Sequence, residues 1–237
     1  MIGIIDYGMG NLGSVRNACR FLNIPAQVIG TPQEMRACRG VILPGVGAFG
    51  DCMAHLEAHG FADAVRGWIG EGRPFLGICV GMQALFDESE ESPGVRGLGV
   101  LPGVVRRFAL GPEWKVPQMG WNRVAWQRPD CPLFAGVPDR SHFYFVHSFY
   151  PDPADPSVVA GRTEYGVEYA SAVWRDRLLA VQFHPEKSQA AGLQMLRNFG
   201  DLVQGTAEEK KGSGCQGSGF RPEEGRPRGG ALLNPEP

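Results

Sequence analysis

The chain has 237 residues, 43% hydrophobic, 20% charged and 10% aromatic, with a formal net charge of −2. Such a length buries a full core without staples and leaves room for one or two domains. The near-zero charge, with no basic stripe, excludes a nucleic-acid binder that relies on counterion release. No charge-free run, Pro74 to Phe86 included, reaches the ~20 apolar residues of a membrane-spanning helix. The opening Met1-Ile2-Gly3-Ile4-Ile5-Asp6 has no basic region and runs into an acid, so it does not read as a signal peptide. Six cysteines are scattered without a Cys-x-x-Cys pair, which suits neither a disulfide framework nor a zinc ribbon. A reducing, cytoplasmic setting is the expectation, with no metal and no cofactor.

In chain order, Ile2–Ile5 reads as a buried strand, and Leu12, Val15, Cys19 and Leu22 then share one helical face. Ala26–Ile29 is a second strand. Thr31-Pro32-Gln33-Glu34 has the form of a capping box and opens a short helix to about Arg39. Val41–Leu43 is a third strand, helices start near Asp51 and Phe61, and Phe75–Ile78 is a fourth strand. Strands alternating with helices imply a parallel sheet covered on both faces. From Leu98 onward strand-like runs dominate: Leu98–Leu101, Val104–Phe108, Trp121–Trp126, Phe143–Tyr150, Val167–Trp174 and Leu178–Phe183. A last helix spans Ser188–Val203 with Leu193, Leu196 and Val203 inward. The predicted fold is therefore α/β: a three-layer open mixed sheet, mainly parallel, with helices on both faces and an antiparallel extension. Residues 1–205 form the globular domain. Residues 206–237, with 7 Gly and 4 Pro in 32 positions, are predicted to be a disordered tail.

Gly8-Met9-Gly10-Asn11-Leu12-Gly13 and Gly45-Val46-Gly47-Ala48-Phe49-Gly50 both match the dinucleotide pattern G-x-G-x-x-G. The acid expected for a ribose at the end of the second strand is absent, the segment there being Ile29-Gly30-Thr31. The loops are read as tight turns at the carboxyl ends of parallel strands, where open α/β sheets place their sites. Cys52, His55 and His59 share a helical face, but Glu57 points away from it, so a solvated surface is expected rather than a metal site.

Gly77-Ile78-Cys79-Val80-Gly81, after an apolar strand and before a helix, has the form of a nucleophile elbow. A sharp strand-to-helix turn tolerates only tiny neighbours two residues either side of the nucleophile. It also points the thiol at the positive end of the next helix, which favours the thiolate. A thiolate nucleophile needs a base, and the base needs an orienting group. His184-Pro185-Glu186 directly follows an apolar strand, so His184 and Glu186 fall on one face, where the carboxylate can fix the imidazole tautomer. The backbone N–H of Val80 is one oxyanion donor, and the Gly45-Val46-Gly47 loop can supply a second. His147 and Ser148 can line the pocket, whereas His142 is left on the surface.

This constellation resembles the class I (triad) glutamine amidotransferases. Asp6-Tyr7-Gly8-Met9-Gly10-Asn11-Leu12, Leu43-Pro44-Gly45-Val46-Gly47-Ala48-Phe49, Pro117-Gln118-Met119-Gly120-Trp121-Asn122 and Phe143 to Phe149 narrow the resemblance. Within that family they resemble the glutaminase subunits of imidazole glycerol phosphate synthases, over residues 2 to about 204. The resemblance implies that Cys79, His184 and Glu186 hydrolyse L-glutamine to glutamate and ammonia through a cysteine thioester. It implies that Gln83, Ser148 and Phe149 hold glutamine, and that Val80, Gly45, Val46 and Gly47 border the oxyanion. It further implies a heterodimer with a (β/α)₈-barrel cyclase, faced by Gln118, Met119, Trp121, Asn122 and Lys187. That cyclase uses the ammonia to make imidazole glycerol phosphate and aminoimidazole carboxamide ribotide from a phosphoribulosyl-formimino nucleotide, a step of histidine biosynthesis. A flip of the Gly45–Gly47 segment is the expected switch. The competing readings are a glutaminase serving another synthase, such as that of pyridoxal phosphate, a stand-alone γ-glutamyl hydrolase, and an inactive binding subunit.

Overall fold

A computed structural model describes residues 1–205. The predicted tail, 206–237, lies outside the described residues. In order, the elements are β1 (Ile2–Ile5), α1 (Leu12–Phe21), β2 (Ala26–Ile29), α2 (Pro32–Arg36), β3 (Gly40–Gly45), α3 (Phe49–Ala58), α4 (Phe61–Gly70), β4 (Phe75–Cys79) and α5 (Val80–Gln83). Then follow β5 (Glu88–Ser89), β6 (Gly103–Arg107), β7 (Gln118–Arg123), β8 (Ala125–Trp126), β9 (His142–His147) and β10 (Phe149–Pro153). The last described elements are β11 (Val159–Glu164), β12 (Glu168–Arg175), β13 (Leu178–Val181) and α6 (Gln189–Gln204).

Eight strands make the central sheet in the order β2-β1-β3-β4-β13-β12-β11-β8. Pairings from β2 to β13 are parallel, and those from β13 to β8 are antiparallel. β1, β3, β4 and β13 are buried along their whole length, as expected of parallel strands covered on both faces. A three-stranded sheet (β10-β6-β5) and a two-stranded ribbon (β7-β9) wrap the end where β3, β4 and β13 finish.

Local chemistry explains the boundaries. Thr31 Oγ1 accepts from Glu34 N at 3.3 Å, and the Glu34 carboxylate accepts from Thr31 N at 3.1 Å, the expected capping box. That helix ends at Arg36 rather than near Arg39. Leu98–Leu101 forms no strand: Leu98 N donates to Ala84 O and Val100 N to Leu85 O, so the segment packs on the turn after α5. The runs Trp121–Trp126 and Phe143–Tyr150 each split in two, the second at Ser148, where β9 leaves the ribbon and β10 joins the small sheet. Strands β5 and β11 were not anticipated. In β11, Gly161, Arg162 and Glu164 dilute the apolar signal, although the strand is interior to the sheet.

Candidate active site

Three adjacent parallel strands bring the site together. Gly45 pairs with Cys79 and Val181 with Ile78, so the carboxyl ends of β3, β4 and β13 lie level. Cys79 leaves β4 with φ +57° and ψ −115°, a region non-glycine residues rarely adopt outside strained functional turns. The neighbouring glycines are required by backbone contact. A Cβ on Gly81 would strike the Leu43 carbonyl, and one on Gly77 would lie 2.7 Å from the Gly81 carbonyl oxygen. The helix after the elbow is a single turn, Val80–Gln83.

His184 sits just beyond β13, and its Nδ1 lies 2.9 Å from Glu186 Oε1 in a 3₁₀ turn, Pro185–Lys187. The carboxylate side chain is 1% exposed, and its Oε2 has no partner among the described residues. Burial works to lower the His184 pKa, but hydrogen bonding to Cys79 and to Glu186 outweighs it and raises it to about 9. The backbone is clamped too: His184 N donates to Tyr144 O at 2.9 Å, and Ser188 Oγ donates to His184 O at 2.6 Å.

Cys79 and His184 open onto a cavity of about 310 Å³, which Val46, Gly47, Val80, Gln83, Ser148 and Phe149 also line. Val80 is the first residue of α5, so its N–H has no acceptor within the helix and is available to an oxyanion. Gly45 must be glycine because a Cβ there would strike the Gly81 nitrogen, while Gly47 has φ +81°. Gln83 Nε2 donates to Phe149 O at 2.9 Å and to Gln182 Oε1 at 3.0 Å, leaving its own oxygen for a ligand. Gln182, which alternation puts on the same side as His184, directs its Nε2 at Cys79 Sγ at 3.7 Å.

Sequence reasoning missed Glu91 and Gln182. Glu91 lines the cavity and accepts from Phe49 N at 2.8 Å, while Ser92 Oγ accepts from Gly50 N at 3.0 Å. These remote side chains satisfy the start of α3, whose N-cap, Ala48, supplies no side-chain bond. Glu91 is thereby a fixed anion in the pocket, suited to an ammonium group.

The expected partner face divides. Met119 is 65% and Trp121 48% exposed, whereas Gln118 is 2% exposed. Gln118 therefore turns inward, against the expectation that it faces a partner: the side chains of β7 alternate, with Gln118, Gly120 and Asn122 on the inner side and Met119, Trp121 and Arg123 on the outer. Asn122 is also on that inner set and donates to Glu164 O at 2.8 Å. Lys187 is exposed, its Nζ 5.8 Å from the Tyr144 ring, which meets Trp121 edge-on at 6.2 Å. His55 on α3 and His59 at its C-cap stack at 6.0 Å and are exposed, whereas Cys52 on the same face is buried against Tyr7, so that face is solvated only in part; no group of three or more potential metal ligands occurs among the described residues. Nor is any described helix long and apolar enough to cross a membrane. Burial pushes the thiols of Cys19, Cys52 and Cys131 up to about 11, 12 and 12, and it raises that of Cys38.

A cysteine on a strained elbow, beside a carboxylate-held histidine in a pocket at the carboxyl edge of a parallel sheet, defines a thiol-dependent amidase of the acyl-transfer class. The profile of the glutamine amidotransferase class-I family matches residues 3–202. Relatives named imidazole glycerol phosphate synthase subunit HisH are similar over almost their whole length. The one from Moorella thermoacetica is 53% identical, covering 85% of this chain and 95% of that protein. The one from Methanothermobacter thermautotrophicus is 51% identical, covering 86% and 99%. Among solved structures, one described as a glutamine amidotransferase superposes with a TM-score of 0.68 at 22% identity, over 86% of this chain and 98% of that one. PurLQS from Thermotoga maritima gives 0.68 at 17% identity, over 85% and 98%, and both show the fold. The chain belongs to the class-I glutamine amidotransferases and, within them, to the HisH subunits of imidazole glycerol phosphate synthase.

Proposed function

We propose that Cys79, His184 and Glu186 hydrolyse L-glutamine and that the ammonia passes to a (β/α)₈-barrel cyclase docked over the Met119, Trp121 and Lys187 face. The cyclase converts the phosphoribulosyl-formimino nucleotide to imidazole glycerol phosphate and aminoimidazole carboxamide ribotide in the cytoplasm. The observation that carries the chemistry is the buried 2.9 Å His184–Glu186 contact beside the elbow cysteine.

Glutamine enters with its ammonium end toward Glu91 and its carboxamide between Cys79 and the Val80 N–H. The Cys79 thiolate attacks the carboxamide carbon, forming the C–S bond and pushing the carbonyl electrons onto oxygen. There the Val80 N–H and an N–H of the Gly45–Gly47 loop receive the charge. The His184 imidazolium gives its proton to the amide nitrogen, the C–N bond breaks and ammonia departs. Neutral His184 then takes a proton from water, whose oxygen attacks the thioester. The C–S bond breaks, the thiolate returns and glutamate leaves. Glu186 holds the Nδ1 proton throughout, so that Nε2 performs both transfers.

The exposed Met119–Trp121 pair, with Tyr144 and Lys187 beside it, supports the docking surface. An aromatic and a Met at the centre of an interface are the types that carry binding energy. Tyr144 also accepts the backbone bond from His184, so that surface lies one residue from the base. The test is Cys79→Ala in the heterodimer with glutamine or with ammonium as nitrogen donor. The reading predicts loss of the glutamine-dependent reaction with the ammonium-dependent one kept. Retention of the glutamine-dependent rate would overturn it.

A further inference from the structure

His147 lines the glutamine cavity yet takes no part in the chemistry above. Its Nδ1 is 2.8 Å from the Phe149 carbonyl oxygen, and its Nε2 is 3.2 Å from Tyr169 Oη. A carbonyl only accepts, so Nδ1 must carry the proton and Nε2 must be the acceptor. A phenol has one proton, and that proton then belongs to His147. Tyr169 Oη, 2.8 Å from the Gln118 amide, must therefore accept there, which requires Gln118 to present its NH₂ group rather than its oxygen. An amide's two ends are exchanged by a half-turn. The half-turn also removes a cost of the opposite assignment, in which Gln118 Nε2 is a buried donor without a partner among the described residues. An unpaired carbonyl oxygen is tolerated better than an unpaired N–H.

We propose that His147 is a positioning residue of the glutamine pocket, its two ring nitrogens fixed by the Phe149 carbonyl and by a Gln118–Tyr169 hydrogen-bonded chain from the partner-side strand β7. The proposal rests on the pocket being a glutamine site. The Phe149 carbonyl that His147 holds also accepts from Gln83 Nε2, so one ring orients both the pocket wall and the Gln83 amide. β7 carries Met119 and Trp121 outward and Gln118 inward, so its position bears on the far end of the chain. The titratable groups facing His147 are Tyr169 on β12 and His184 beyond β13. Burial, with the His184 charge beside it, lowers its pKa to about 4 against the Phe149 carbonyl's opposing pull.

The direct test is a long-range ¹H–¹⁵N spectrum of the histidine-labelled full chain, with His147 assigned by its loss in His147→Asn. The expected result is a neutral ring protonated on Nδ1 and unchanged from pH 5.5 to 8. An Nε2-protonated tautomer, or titration near the ordinary ~6.5, overturns the proposal. In the heterodimer with the cyclase and its nucleotide, Tyr169→Phe and His147→Phe should each raise KM for glutamine roughly fivefold or more, the worth of one hydrogen bond. kcat should stay within about twofold in both. His147→Asn, whose amide can still donate to Phe149 but does not reach Tyr169, should raise KM only as much as Tyr169→Phe does; an unchanged KM in Tyr169→Phe contradicts the chain. A heterodimer inactive in every form would contradict the glutaminase reading instead, and the tautomer would still decide this inference.

Discussion

At the scale of single residues, the proposed chemistry depends on one imidazole held charged and one carboxylate holding it. Because hydrogen bonds to Cys79 and Glu186 outweigh burial, His184 remains protonated well above neutrality, as the leaving ammonia requires. Its pKa is raised above the unfolded value, so its contribution to stability is fully present below about 6.5 and is lost as pH rises through about 9. Thermal unfolding from pH 6 to 10 should show wild type losing its advantage over His184→Gln across that window; a constant difference would contradict the assignment. Glu186→Gln keeps the volume but not the charge, and it should lower kcat roughly 10²-fold with KM nearly unchanged in steady-state glutamate release. Peptide mapping after brief iodoacetamide treatment at neutral pH should find Cys79 alkylated before Cys19, Cys38, Cys52 and Cys131, whose thiols burial holds protonated.

Elements explain how the site is built and how much of it was readable in advance. The elbow and the His-Pro-Glu turn are local devices, in which spacing of two residues sets who faces whom, so Cys79, His184 and Glu186 could be read from the chain. Glu91 could not: its place in the pocket depends on a loop returning from β5 to the start of α3, which no local pattern encodes. Gln118 misled because β7 exposes the apolar Met119 and Trp121 while the polar Gln118 beside them is buried, the reverse of a half-buried strand. The five parallel strands were legible as short runs rich in apolar residues, but Leu98–Leu101 was equally apolar and satisfies its amides on the turn after α5 instead. Two glycines separate contact from propensity. Gly81→Ala drives a Cβ into the Leu43 carbonyl and should cost ~1–3 kcal/mol in urea unfolding. Gly67→Ala, in α4 with nothing within 4 Å, should gain about 0.5–1 kcal/mol.

At the scale of the whole molecule, the proposed chemistry lies at the carboxyl edge of the sheet, and the proposed partner surface lies on the outer ribbon beside the same edge. Exposed Met119 and Trp121 are costly on an isolated chain and reasonable on one half of a complex. Trp121→Ala should weaken cyclase binding by about 2 kcal/mol, roughly thirtyfold in Kd by titration calorimetry, without lowering the unfolding midpoint of the free chain. The central claim is that this chain is a glutaminase governed by a barrel partner. The most direct test is the rate of glutamate release from L-glutamine by the chain alone, with the histidine-pathway cyclase, and with the cyclase and its nucleotide ligand. The account predicts strong stimulation only in the full mixture; equal rates with and without the barrel would contradict it.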